Sequence, residues 1–296
     1  METSTLASLM SNPRLLLVHA HPDDETINNG ATMAQYVNRG VEVTLVTCTR
    51  GEEGEVLVPE LAHLASNQQD QLGTHREGEL AQAMSVLGVK DFRFLGAPEK
   101  IFRDSGMMDT EPNKRKDNFW NANLDEAAEY LVAIILEIKP HVLVTYDEIG
   151  GYGHPDHIQA HRVAMKAAEM ARTRGWEIQK IYWNTIPRSV IEEGIEALKG
   201  TGNQFFGVDK AEDFPFAQPD ELVTTVINAE EFVTQKMDAM RAHPTQISVD
   251  GPFFALSDNL GFKVWGQEFY RLVYGQLGTE RNSDGRETDL FSGVKF

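Results

Sequence analysis

Four consecutive apolar residues, Leu15-Leu16-Leu17-Val18, rise out of a polar N-terminal stretch and read as a strand over 14–19 that is buried on both faces. The run ends at His21-Pro22-Asp23-Asp24. Beyond it Ala31, Met33, Ala34 and Val37 fall at helical spacing, and Gly40 stops them. Residues 41–48, VEVTLVTC, form a second apolar run. Strand, helix and strand in so short a span make a βαβ unit, so these two strands should be parallel. Residues 61–87 read as mostly helical with a break at Gly73, where Thr74-His75-Arg76-Glu77 resembles a capped start. Residues 91–95 read as a third strand. The spacing of Leu131, Ile134, Ile135 and Ile138 predicts a helix over 124–139, stopped by Pro140. A fourth strand over 141–146 leads into Tyr152-Gly153-His154-Pro155-Asp156-His157. Pro155 suits the first turn of a helix running to Arg174, and 178–183 is a fifth strand.

The remaining pattern is less regular: a helix over 189–198, a polar loop over 200–219, a strand over 222–227 and a helix over 229–242. Residues 253–274 are aromatic-rich, with Trp265, Phe269 and Tyr270, and would pack over the sheet or form part of a lid. The polar stretch 279–296 is expected at the periphery, and 1–13 as a frayed lead-in. The polar segment 96–123 is long for a connection, which points to a functional loop. This alternation predicts an α/β fold: a Rossmann-like doubly wound, mostly parallel sheet with a smaller C-terminal α+β portion. Residues 1–184 would be the core carrying both histidine clusters. Residues 185–296 would pack on it and complete a cleft. No internal repeat interrupts the chain.

Composition narrows the partners. The 296 residues carry a net charge of −18. That balance opposes nucleic-acid and anionic-membrane binding, which require a basic footprint. No apolar run approaches bilayer-spanning length, and the N-terminus lacks the basic and apolar regions of a secretory signal. The one cysteine, Cys48, lies in an apolar run and reads as a small buried residue. These features favour the cytoplasm. Neither GxSxG, a P-loop nor GxGxxG is present, which removes the main support for a serine nucleophile or a nucleotide site.

Both histidine clusters end apolar strands, so both belong at the rim where open α/β sheets bind ligands. Metal-assisted hydrolysis needs a few protein ligands with an open position, a carboxylate to take a proton, and a donor for the oxyanion. His21, Asp24 and His157 would supply the ligands, a mixed N/O set suited to Zn²⁺ and compatible with Fe²⁺. Asp23 would be the general base and His154 the oxyanion donor, oriented by Asp156. Simpler readings compete. Each cluster can be a capped strand-to-helix turn, although two such turns in one chain weaken that reading. His157 and His161 stand i,i+4 and form a rival helical pair. His19 suits a supporting position. His63, His75, His141 and His243 have no comparable neighbours and are expected to be structural or exposed.

AHPDDE after an apolar strand, paired with GYGHPDH downstream, resembles the LmbE-like (PIG-L) family of zinc-dependent de-N-acetylases. NNGAT (28–32), VTCTRGEEGEV (46–56), DQLGTHREGEL (70–80), FRDSGM (102–107) and RAHPTQ (241–246) extend the resemblance over 14–274, towards the branch of the family that acts in mycothiol biosynthesis. The resemblance implies one Zn²⁺ per chain on His21, Asp24 and His157, with Asp23 as base and His154 polarising the acetyl carbonyl with Asp156 behind it. It implies Tyr152 as a mobile tyrosine assisting the oxyanion. Arg76 and Asp104 would bind sugar or inositol hydroxyls, and Glu55 would lie on the inositol side. The implied reaction removes the acetyl group of a small-molecule glycoside, N-acetylglucosaminyl-inositol (GlcNAc-Ins), to leave GlcN-Ins. Alternatives are the related mycothiol S-conjugate amidase, whose KGAAT and GERGD differ from NNGAT and GEEGE here, and a non-catalytic sugar-binding module. Apart from the resemblance, Arg76 reads as a surface helix arginine and Asp104 as an Asx turn.

Overall fold

The computed structural model describes residues 12–199, 208–214, 217–249 and 266–296. Five parallel strands make its centre: β1 (Arg14–His19), β2 (Glu42–Thr47), β3 (Asp91–Phe94), β4 (Val142–Thr145) and β5 (Lys180–Pro187). Their order is β3-β2-β1-β4-β5. The order reverses between β1 and β4, so the chain leaves those two strands in opposite directions and opens a crevice at their C-terminal ends. The strands have the expected positions, with bounds shifted by one or two residues; β5 runs further, to Pro187.

The continuous apolar run of β1 is explained by its surroundings. Leu15 and Leu17 join a cluster with Tyr36, Leu80 and Met84, whereas Leu16 and Val18 join one with Leu131, Ile135 and Val163. Successive side chains point to opposite faces, and both faces are covered. The first cover includes α1 (Asp24–Asn38) and α2 (Leu72–Leu87). The second includes α3 (Leu124–Ile138) and, after the single turn α4 (Gly150–Gly153), α5 (Pro155–Thr173). Asn123 caps α3 by accepting the Glu126 N–H at 3.0 Å.

The chain after β5 forms α6 (Arg188–Leu198), the two-residue strand β6 (Ala217–Gln218) beside β5, β7 (Thr225–Asn228), α7 (Val233–Arg241) and β8 (Gln267–Tyr274). β8 pairs antiparallel with β5, and β7 antiparallel with β8. The sheet therefore continues past residue 184, and α7 packs back on α1 and α2.

Three expectations change, and a fourth segment gains detail. The break in 61–87 is not at Gly73: a 3₁₀ turn (Pro59–Leu64) is followed by turns, and α2 starts at Leu72. Gly73 lies in the first turn of that helix, where an added Cβ would lie 2.7 Å from Glu52 Cγ. The end of the aromatic-rich stretch is β8, a strand within the sheet; residues 253–265, Trp265 among them, lie outside the described residues, as do 1–11 and 200–207. The stretch 279–296 is not peripheral: Leu290 and Phe291 pack in the core against Tyr36, and Glu287 is fully buried. Finally, 96–123 is folded upon itself. Asn118 and Asn121 donate to the carbonyls of Pro112, Asn113 and Arg115, closing a compact loop that lays residues 102–106 beside the segment after β2.

Candidate active site

The turn from β1 into α1 and the turn from β4 into α5 meet at the crevice. Asp24 Oδ2 accepts the His21 N–H at 2.9 Å and the Tyr146 hydroxyl at 2.7 Å. It stands 3.4 Å from His21 Nδ1 and 3.5 Å from His157 Nε2. His157 is held by the Gly150 carbonyl, 3.2 Å from its Nδ1, and by the Tyr146 ring stacked on it at 4.3 Å. Glycine is required at 150, where φ is +64° and an added Cβ would lie 2.6 Å from His157 Cβ. Tyr146 was not anticipated. It ends an apolar strand in the sequence, and only its contacts with Asp24, His157 and the Ala20 N–H reveal a polar role.

The three expected ligands thus come together. Among the described residues, ligand atoms within 4.8 Å of one another group as His21, His154 and His157, and as His21, Asp104 and Asp156; Asp24 is in neither group and is tied to His21 and His157 by the two carboxylate contacts. His157 Nε2 is buried, has no hydrogen-bond partner and faces a carboxylate. A buried polar atom left unpaired is costly, and a divalent cation at this N/O cluster would satisfy it. The residues fit a metal. His161 does not join them: its Nδ1 lies 3.0 Å from the Tyr146 carbonyl and its ring packs on Trp183. His19 takes the supporting place expected, beside Tyr146 and Asn29.

Asp23 occupies the turn with φ of +106°, a conformation costly for a non-glycine residue. Arg76, buried rather than on the surface, donates to the carbonyls of Gly51 and Pro22 and stands 3.4 Å from Asp23 Oδ1. Burial pushes the Asp23 carboxyl up to about 7, against the pull of Arg76. Burial would depress His21, but the carboxylates of Asp104, Asp156 and Asp24 overcome it and hold the ring well above the usual histidine range. Asp24 is held well below the carboxylate range: burial opposes this, and His157 and His21 outweigh it.

His154 is the N-cap of α5, and its Nδ1 accepts the Asp156 N–H at 3.1 Å. Burial and the neighbouring His21 and His157 push it down to about 3. The ring is neutral near pH 7, with its hydrogen on Nε2, where it can donate. Asp156 contacts it through its backbone N–H rather than its carboxylate. The cap geometry claims the N–H and turns the carboxylate towards Ser105, whose N–H and hydroxyl it accepts, and His21 Nε2 at 3.3 Å.

Asp104 accepts the Gly106 N–H as an Asx turn and also the Glu53 N–H. Its own N–H donates to Glu52 Oε2. The acidic segment after β2 therefore holds Asp104 in place. Tyr152, 41% exposed, sets its ring edge-on to His157 at 5.0 Å. Glu55 is exposed on the same wall. A cavity of about 730 Å³ opens over the three expected ligands, Asp23, His154, Tyr152, Arg76, Asp104 and Glu55, and Asn184, Ile186, Phe214 and Phe269 also line it. Cys48 is buried, which pushes its thiol up and leaves it inert.

Comparison with known proteins adds the chemistry. Residues 16–168 match the family profile described as PIG-L, GlcNAc-PI de-N-acetylase. A 1D-myo-inositol 2-acetamido-2-deoxy-alpha-D-glucopyranoside deacetylase of Geodermatophilus obscurus is 58% identical over 95% of this chain and 98% of its own. One of Kribbella flavida is 54% identical over 97% and 100%. The structure of the N,N'-diacetylchitobiose deacetylase from Pyrococcus horikoshii, in complex with its inhibitor MPG, covers 91% of this chain and 89% of its own with a TM-score of 0.56 and 17% identity, a likeness of fold.

Proposed function

We propose, since the chain belongs to the PIG-L family of de-N-acetylases, that this deacetylase hydrolyses the acetamide of GlcNAc-Ins to GlcN-Ins and acetate, as a step of mycothiol biosynthesis in the cytoplasm. The observation that carries the substrate is the shared name of relatives 58% and 54% identical over nearly the whole chain. The site's chemistry supports the same reading. His21, Asp24 and His157 would hold one Zn²⁺, with Fe²⁺ compatible. A cation held there would supply Lewis acidity towards the carbonyl and towards the attacking water. Asp23 takes the proton of the attacking water and delivers it to the departing sugar nitrogen. The Nε2–H of His154 donates to the oxygen that gains charge, and Tyr152 assists from the mouth. Asp104 and the N–H groups of Arg76 not spent on carbonyls face sugar hydroxyls. Glu55 borders the inositol side.

The strand order with its reversal supports a Rossmann-like core over 1–184. Asn184, Ile186, Phe214 and Phe269 support a C-terminal portion that completes the cleft. The test compares, on one metal-loaded sample, acetate release from GlcNAc-Ins with cleavage of a mycothiol S-conjugate. Faster cleavage of the conjugate would transfer the assignment to the amidase.

Metal uptake should be proton-coupled. His21, held above its ordinary value, carries a proton at pH 7, and a cation on the ring must expel it. Calorimetric titration with Zn²⁺ in two buffers of different ionisation heat should give about one proton released from His21 and a further fraction from Asp23, whose carboxyl lies at about 7 before the cation arrives, with affinity weakening as pH falls. Heats identical in both buffers would contradict this.

A further inference from the structure

The carboxylates Asp23, Asp24 and Glu25 stand in a row, and Glu25 has no part in the chemistry above. It is fully buried. Its Oε2 accepts the N–H of Asp23 at 2.9 Å, and its Oε1 lies 2.9 Å from Nε2 of His243, which is fully buried as well. His243 follows α7 and belongs to the C-terminal portion, which packs against α1. The pair therefore reaches across the molecule to the backbone of one residue of the active-site turn.

That residue needs holding. Asp23 has φ +106° and ψ −37°. Such a conformation persists in a residue with a side chain only when its surroundings over-determine it. The following side is secured by the Asp23 carbonyl, which accepts the N–H groups of Thr26 and Ile27 and the Thr26 hydroxyl. The preceding side is secured by Arg76 on the Pro22 carbonyl. The Asp23 N–H is the remaining handle, and Glu25 takes it. Rotation about the N–Cα bond sweeps the carboxylate, so the bond from Glu25 governs where the base points.

We propose that Glu25 and His243 form a positioning unit that fixes the backbone of Asp23 and thereby aims its carboxylate. The unit rests on the reading of Asp23 as the base. His243 orients Glu25, Glu25 fixes the turn, and neither touches substrate. Misplacement of a reacting group by about 1 Å costs on the order of 10²-fold in rate.

The test uses the full-length, metal-loaded protein with GlcNAc-Ins. His243→Ala should lower kcat on the order of 10²-fold, with KM and metal content unchanged. His243→Gln, whose amide N–H can reach Glu25, should recover most of that loss. His243→Asn fills most of the volume but falls short of Glu25, so it should behave like the alanine variant and serves if that variant does not fold. In an Asp23→Asn background, His243→Ala should cost little more. The proposal is overturned if the Asn and Gln variants have equal kcat, or if His243→Ala costs the same factor in both backgrounds. Full activity in Asp23→Asn alone would instead overturn the base assignment.

Discussion

Replacing Asp23 with asparagine should lower kcat by about 10²–10⁴-fold, the range contributed by a positioned general base, while bound metal and KM stay near their wild-type values. The substitution is nearly isosteric, and asparagine tolerates positive φ better than most residues. The turn's hydrogen bonds to Glu25, Thr26 and Ile27 use the backbone of residue 23 and survive the change. What disappears is the proton acceptor. The pH profile should change with it. Asp23 accepts a proton only when ionised, and its carboxyl lies at about 7, raised chiefly by burial. A cation close by draws that value down, so wild-type activity should fall on an acid limb at or below pH 7, and the residual activity of Asp23→Asn should lack that limb. Single-turnover rates across pH, with metal content measured on the same samples, check both points. Turnover at the wild-type rate would remove Asp23 from the chemistry.

Glu287→Ala should destabilise the protein by about 3–5 kcal/mol, the cost of stranding one partner of a buried ion pair. Glu287 accepts the Lys180 ammonium at 2.8 Å, the Tyr182 hydroxyl at 2.9 Å and the Thr225 hydroxyl at 3.2 Å, together with the Gly278 N–H. Lys180 and Glu287 are almost completely shielded from solvent, and burial already pulls the lysine below its ordinary value. Removing the carboxylate leaves an ammonium, a phenol and a hydroxyl without their shared acceptor. Pairing Glu287→Leu with Lys180→Met should return much of the loss, because desolvation of the ions is then no longer incurred. Urea unfolding of the wild type and the two variants measures the effect. A loss below about 1 kcal/mol, the value of an exposed pair, would show that water reaches the site.

The centre of the sheet was legible because its strands are buried on both faces, a condition that leaves long apolar runs. The two histidine turns were legible because each follows such a run directly. Other features depend on chain segments far apart in sequence. Glu25 reads as the end of the first motif until His243 is placed against it. Tyr146 reads as the last apolar residue of a strand until Asp24 meets its hydroxyl. The sequence places Asp156 behind His154 without saying which of its groups makes the contact: the N-cap uses the backbone N–H, and the carboxylate is drawn towards Ser105 and His21. The stretch 279–296 misled through composition. A polar sequence normally stays in water, but Glu287 is buried by finding Lys180, and that pairing has no trace in either segment alone.

The placement of Glu287, Leu290 and Phe291 also bears on when the fold can close during synthesis. Asp289 accepts the Tyr36 hydroxyl at 2.8 Å, and the Leu290 N–H donates to that same oxygen at 2.8 Å, so part of the packing around α1 is supplied by residues made long after it. On a ribosome, where folding proceeds from the N-terminus, the strands bearing both histidine turns emerge well before the segment that seals their apolar face. A nascent chain lacking 287–291 exposes Tyr36 and leaves Lys180 without its carboxylate. Completion of the core is thus timed by translation of a short late segment.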